Sequence, residues 1–282
     1  MERATRIHHL NCGTDCPVGG AIFDGRSKGP LGHLVCHCLR LETDAGLVLV
    51  DTGYGLRDVY RTHPRLSVAF RLMLNIHFQE NQTAVRQIQA LGFRREDVRH
   101  IVLTHLDFDH AGGLEDFPDA TVHVMGQELE AFGRRNGFVS RRRYRPMQLD
   151  GVHHWERYRG GDGERWFGFN CVRNLKGLPP EILLVPLRGH TWGHAGVAVK
   201  GENGWLLHAG DAYFYRGEVR ARRRRCTPGL RLYQVLMEVD RKARLSNQQR
   251  VRDLSLSHAD EVRLICAHDA VELEACMRVA PL

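Results

Sequence analysis

A chain of 282 residues, 43% hydrophobic and 26% charged, fits one large α/β domain or two small ones and can bury a sizeable core. No apolar run approaches the roughly 18–20 residues that span a bilayer. The opening Met1-Glu2-Arg3-Ala4-Thr5-Arg6 lacks the apolar stretch of a secretory signal, so the expectation is a cytoplasmic protein. The net charge of +7 comes almost wholly from arginine, with lysine only at 28, 176, 200 and 242. Its dense runs, Arg141–Arg143 with Arg145 and Arg220 with Arg222–Arg225, have neither aromatic interleaving nor zinc-finger spacing. That argues against a nucleic-acid partner and for solvated loops. Eight cysteines without a CxxC pair read as reduced thiols, Cys12 and Cys16 being the pair whose spacing tolerates a bridge.

In chain order, strands are predicted over His33–Leu41 and Leu47–Val50, joined by a turn at Asp44-Ala45-Gly46. The apolar segment from Leu66 to Phe78 reads as core, a dimer face or a cap over a pocket. Val85, Ile88 and Leu91 give a helix that stops at Gly92. Further strands are predicted at 101–104, 121–124, 182–187, 205–208 and 262–266, and helices near 127–132, 231–244, 247–257 and 271–278. No repeat or domain boundary is evident. The reading is a single domain over 1–282, with a cap segment near 55–80 and an Arg-rich insertion near 133–169.

Thr104-His105-Leu106-Asp107-Phe108-Asp109-His110-Ala111-Gly112-Gly113 carries four ligand-type side chains within six positions, directly after an apolar strand. Imidazoles and carboxylates together suit zinc, iron or manganese. Gly189-His190, with His194 behind it, Gly210-Asp211 and His268-Asp269 each follow another predicted strand. An α/β sheet gathers a site from distant parts of the chain at such strand ends. His8, His9, His153 and His154 have no evident partner and read as surface residues.

The order Asp51-Thr52-Gly53, the His105–His110 cluster, Gly189-His190, Gly210-Asp211 and His268-Asp269 resembles the metallo-β-lactamase superfamily. Within it, the chain looks most like N-acyl homoserine lactonases and related lactonase-esterases. The likeness runs from about residue 33 to 275. It implies an α/β fold, a four-layer αββα sandwich with the site at one edge of the two sheets. Carried over by position, it implies one metal on His105, Asp107 and His190, a second on Asp109, His110 and His268, and Asp211 bridging both. Asp51, His194 and Asp269 would fix the orientation of the ligands. Asp107 departs from the pattern, which has a second His there. The carboxylate hardens the first position, brings iron or manganese into play beside zinc, and leaves a one-metal enzyme open.

What the resemblance implies is a hydrolase with two divalent metal ions, zinc first. It would use a metal-bound hydroxide to cleave a small ester or lactone, with Asp109 orienting the nucleophile or passing its proton on. The resembled lactonases place a tyrosine three residues past the bridging Asp; here that position is Phe214, so Tyr213 and Tyr215 are the candidate substitutes. The competing readings are a phosphoester, phosphotriester or sulfate-ester hydrolase, an iron-dependent redox protein of flavodiiron type, and a non-catalytic binding protein. A homodimer fits the apolar 66–78 segment.

Overall fold

The computed structural model describes residues 5–160, 164–172 and 174–278; the opening residues 1–4 and part of the Arg-rich segment lie outside them. Leu47, Val48, Leu49 and Val50 are buried on both faces of their strand. Leu47 and Leu49 join one apolar core while Val48 and Val50 join another, as the two-residue side-chain period of a strand dictates. That is why the segment reads as an unbroken apolar run.

Two sheets share the inner core. The larger comprises β1 (Arg6–Asp15), β2 (Leu34–Thr43), β3 (Gly46–Val50), β4 (Ile76–His77), β5 (Val98–Val102), β6 (Thr121–Met125) and β7 (Trp155–Tyr158), in the order β4-β1-β2-β3-β5-β6-β7. It is antiparallel from β4 to β3 and parallel from β3 to β7. A small hairpin, β8 (Arg165–Trp166) with β9 (Phe169–Asn170), precedes the second sheet. That sheet is β10 (Ile182–Pro186), β11 (Ala195–Gly201), β12 (Gly204–His208) and β13 (Val262–Ile265), with β12 and β13 parallel.

Between the sheets, Ile7, Leu39, Val50 and Val102 meet Ile182, Leu184, Val197 and Ile265. The helices are α1 (Ala21–Asp24), α2 (Leu56–Tyr60), α3 (Thr62–Arg65), α4 (Val68–Leu74), α5 (Ala84–Ala90), α6 (Phe108–Ala111), α7 (Gly126–Arg134), α8 (Phe138–Arg143), α9 (Pro228–Met237), α10 (Arg241–Ser257) and α11 (Ala270–Met277). Phe70 of α4 and Val85 and Ile88 of α5 pack on the outer face of the first sheet. Val251 and Leu254 of α10 pack on the outer face of the second. The result is helix, sheet, sheet, helix, the expected four-layer αββα sandwich. No helix among the described residues is long and apolar enough to cross a membrane.

Several local expectations change. The long strand β1 was not apparent in the sequence, because its polar residues His8, His9 and Asn11 mask the alternation of the buried Ile7, Leu10 and Cys12. The 66–78 segment folds as α4 followed by the two-residue β4, with Phe70 and Leu74 buried and Leu72 exposed. The 133–169 region is not merely loop: it supplies α8, the edge strand β7 and the β8–β9 hairpin. Cys12 and Cys16 are both free thiols.

Candidate metal centre

The functional side chains stand beyond the C-terminal ends of parallel strands. Asp51 follows β3, the His105–His110 segment follows β5, Asp211 follows β12 and His268 follows β13; His190 lies on the loop between β10 and β11. Asp51 adopts a left-handed φ of 57°, a costly conformation for a non-glycine residue. It is held there by bonds to both strand ends. The Thr104 amide donates to Asp51 Oδ1 at 2.8 Å, and the Thr104 hydroxyl donates to Oδ2 at 2.8 Å. His110 Nδ1 lies 2.8 Å from the same Oδ2, and His105 Nδ1 lies 2.9 Å from the Thr104 hydroxyl. With Nδ1 of each ring engaged as donor, Nε2 is left as a lone pair facing the cluster. His268 is oriented likewise by Nδ1 donating to the Val35 carbonyl at 2.9 Å.

The seven expected ligands come together. Asp211 Oδ1 is 3.1 Å from His268 Nε2 and 3.4 Å from His110 Nε2, while its Oδ2 is 3.2 Å from His190 Nε2 and 3.8 Å from His105 Nε2. One carboxylate thus faces two groups with different oxygens. Asp107 Oδ2 lies 3.4 Å from His105 Nε2 and 3.1 Å from His190 Nε2. Asp109 Oδ2 lies 3.7 Å from His268 Nε2. A tetrahedral ion with bonds of about 2.1 Å sets its ligand atoms roughly 3.4 Å apart, so these spacings suit a metal. The buried atoms left without a hydrogen-bond partner include His105 Nε2, His110 Nε2 and Asp211 Oδ1, which all point into the cluster.

The carboxylates of the cluster dominate the titration of its histidines, whose rings would have to give up a proton to bind an ion. Burial alone would lower the pKa of His110, but Asp211, Asp51 and Asp109 outweigh it and hold the pKa well above the usual value. Burial is likewise outweighed at His268, chiefly by Asp211, and its pKa rises to about 9. Burial opposes ionisation of Asp211, yet His268, His110 and His190 keep its pKa well below the carboxylate range. Among the described residues, the triads His105–Asp107–His190, His105–His110–Asp211 and Asp109–His110–His268 each bring their ligand atoms within 4.8 Å of one another.

The supporting residues differ in part from expectation. His194 accepts the Asp211 amide through Nε2 at 2.9 Å and faces the Leu187 carbonyl through Nδ1 at 3.0 Å, so both nitrogens are engaged and it positions the Asp211 backbone. Asp269 orients no histidine; it caps α11 by accepting the Val271 amide at 2.9 Å and pairs with Arg216 at 3.1 Å. His9 is no bare surface residue, since its Nδ1 meets His37 Nε2 at 2.8 Å. Tyr213 is fully buried, with its hydroxyl donating to Glu272 at 3.0 and 3.2 Å. Tyr215 is half-buried and packs beneath the Arg216 guanidinium, 4.6 Å from its ring centroid.

Burial raises the Glu272 carboxyl from 4.5 to about 7. A folded-state pKa above the unfolded value gives stability that is fully present below about pH 4.5 and lost as pH rises through about 7. Replacing Glu272 by Gln is expected to flatten this dependence. Denaturant titrations at pH 5 and pH 8 should show the variant gaining about 2 kcal/mol relative to the parent between the two.

Four residues of the site were not singled out from the sequence. Arg143 is buried against Asp107, with Nε 2.7 Å from Oδ1 and Nη2 2.5 Å from Oδ2. Glu128 accepts the amides of Leu106 at 3.1 Å and Gly193 at 2.9 Å and the Tyr144 hydroxyl at 2.9 Å, locking the two histidine loops together. A Cβ on Gly193 would sit 2.2 Å from the Glu128 amide nitrogen, so only glycine permits that approach. Asp15, whose carboxylate accepts the Tyr54 hydroxyl at 3.0 Å, comes within 4.8 Å of Asp109 and is pushed to about 7 by burial and then by Asp109. Tyr233 of α9 lines one narrow cleft with Asp15, Leu74, Asp109, Phe214 and His268. The Phe214 ring stacks on His268 at 5.2 Å, and Tyr233 meets Phe214 edge-on at 5.6 Å.

An αββα sandwich with a His/Asp cluster at the strand ends defines a metallo-hydrolase scaffold. Residues 31–258 match the family model of the metallo-beta-lactamase superfamily, and the chain belongs to that superfamily. It is 42% identical over 269 residues to a probable metallo-hydrolase of Mycobacterium tuberculosis, covering 94% of this chain and 80% of that one. An N-acyl homoserine lactonase of Bacillus cereus is 29% identical over 129 residues, covering 44% of this chain and about half of the lactonase, 52%. Among solved structures, B. thuringiensis AiiA with N-decanoyl-L-homoserine at its active site superposes with a TM-score of 0.72 at 20% identity, over 97% of this chain and 96% of AiiA. A probable metal-dependent hydrolase from Staphylococcus aureus gives 0.70 at 16% identity, over 95% and 90% of the two chains. At those identities the structural likeness shows the fold.

Proposed function

We propose that this metallo-hydrolase cleaves a small carboxylic ester or lactone in the cleft beside Asp109 and His268. The observation that carries the reading is the meeting, in one cleft, of metal-ligand side chains with an apolar wall. Phe23, Leu34, Leu74, Phe214 and Leu230 line it together with Asp109 and His268. The cleft is only about 10 Å³ as it stands, so these apolar side chains would have to part to seat an aliphatic acyl chain. A divalent ion held by these residues would supply a water of lowered pKa and a Lewis acid for the substrate carbonyl. Zinc suits the imidazole-rich donor set, and manganese or iron the carboxylates.

The chain's own groups account for the rest. Asp109 stands at the cleft with its carboxylate turned to His268, placed to orient a nucleophilic water and to take its proton. Tyr213 and Tyr215 were the phenols expected to aid the substrate carbonyl, and Tyr213 is committed to Glu272. Tyr233 fits the role better. Burial, and then the charges of Asp109, Asp107 and Asp211, hold its phenol protonated well above the usual pKa, so that it is a hydrogen-bond donor at working pH. Replacing Tyr233 by Phe is expected to lower kcat about 10²-fold with KM little changed. Tyr213→Phe should leave kcat within about twofold and cost about 1 kcal/mol of stability. Steady-state kinetics with denaturant melts check both; equal effects on kcat would assign the phenol wrongly.

The Arg-rich runs do not line this cleft, so they lend no support to an anionic ester substrate. The test is a panel of an acyl homoserine lactone, an aryl ester and an aryl phosphotriester, assayed before and after chelation. Lactone or ester turnover that vanishes on chelation and returns with zinc supports the reading. Preference for the phosphotriester would move it to phosphorus chemistry, and turnover by the metal-free protein would sink it.

A further inference from the structure

The seven ligands form two groups, but they are not equally free to take an ion. In the second group, Asp109, His110, His268 and Asp211 face one another, and among the described residues no arginine or lysine is hydrogen-bonded or ion-paired to them. In the first, Arg143 already stands among the ligands. Its Nε and Nη2 grip both oxygens of Asp107 at 2.7 and 2.5 Å, and Nη2 also lies 2.7 Å from His190 Nε2. A guanidinium has only donors, so in the tautomer in which His190 Nε2 accepts from Arg143 its lone pair is used, while in the other tautomer Nε2 donates to Asp107 at 3.1 Å or Asp211 at 3.2 Å; in both, the nitrogen an ion would need is engaged within the cluster. Nη1 is fixed by the carbonyls of Met237 at 2.7 Å and His190 at 3.2 Å. Arg143 is 1% exposed and has no route by which to lose its charge.

We infer that the Arg143 guanidinium takes the place of the first metal, so that the protein holds one tightly bound divalent ion, in the Asp109–His110–His268–Asp211 group. A second ion at Asp107 would have to displace a bidentate buried cation or lie beside it. The Asp at position 107 is thereby explained: a carboxylate matches the planar fork of an arginine, which an imidazole cannot do.

The inference rests on the reading of the cluster as a metal site, and one experiment separates the two. Metal-stripped protein is titrated with Co²⁺, following the d–d absorption, and bound metal is counted by elemental analysis after desalting. The expected result is saturation at one equivalent for the parent, lost in His268→Ala and retained in His190→Ala. Arg143→Gln is expected to rise to two equivalents. No bound metal in the parent would overturn the metal-site reading itself. Two tight equivalents in the parent, an ion lost in His190→Ala but kept in His268→Ala, or a folded Arg143→Gln still at one would each overturn the inference. If Arg143→Gln does not fold, as judged by circular dichroism, the parent stoichiometry and the two histidine variants decide it.

Discussion

Asp211→Ala should leave a folded protein that neither retains metal nor turns over substrate, with kcat/KM down about 10³-fold, roughly 4 kcal/mol of transition-state stabilisation. The size follows from position. Asp211 is the one carboxylate whose two oxygens face both histidine groups, His110 and His268 on one side, His105 and His190 on the other. Its backbone is independently anchored by His194 Nε2 and its loop by Gly210 at φ 53°, so removing the side chain leaves the loop in place. Metal analysis with kinetics checks it, and Asp269→Asn is the natural contrast. Asp269 neighbours a ligand in sequence but caps a helix, so that variant should lose up to about 1 kcal/mol of stability and keep its metal.

A second large effect is expected from Arg143→Met in metal-free protein. The substitution strands the buried Asp107 carboxylate and frees the carbonyls of His190 and Met237. Breaking a buried pair on one side costs about 3–5 kcal/mol. For a domain of this size that lowers Tm by about 5–8 °C. Excess zinc should narrow the gap, because an ion entering beside Asp107 restores a positive charge there and binds only the folded state. Thermal melts of stripped and zinc-loaded protein test both statements. A variant as stable as its parent without metal would mean that the Arg143–Asp107 pair contributes no net stability.

What was legible in the sequence follows from physics that is local. Parallel strands buried on both faces appear as short apolar runs, and His105, Asp107, Asp109, His110, Asp211 and His268 stand directly after such runs. The fold and the convergence of these side chains were therefore readable together. Arg143 was not. Arg141 and Arg142 beside it are more exposed, and nothing in a run of three arginines marks the one that a helix turns inward. Tyr233 was hidden for the same reason, since only the packing of α9 brings it to Phe214. The predicted helix boundary within 231–257 fell elsewhere because Asp240 caps α10, accepting the Ala243 amide at 2.9 Å. Asp269 before Ala270–Met277 was open to the same capping argument, and its proximity to His268 drew the reading toward the site instead.

The central claim is that this His/Asp cluster holds a divalent ion at the substrate cleft. It is tested most directly by anomalous diffraction, recorded on both sides of the zinc edge, from crystals grown with zinc. The account predicts a peak bounded by Asp109, His110, His268 and Asp211. Crystals of folded protein with no anomalous density among these side chains would contradict it.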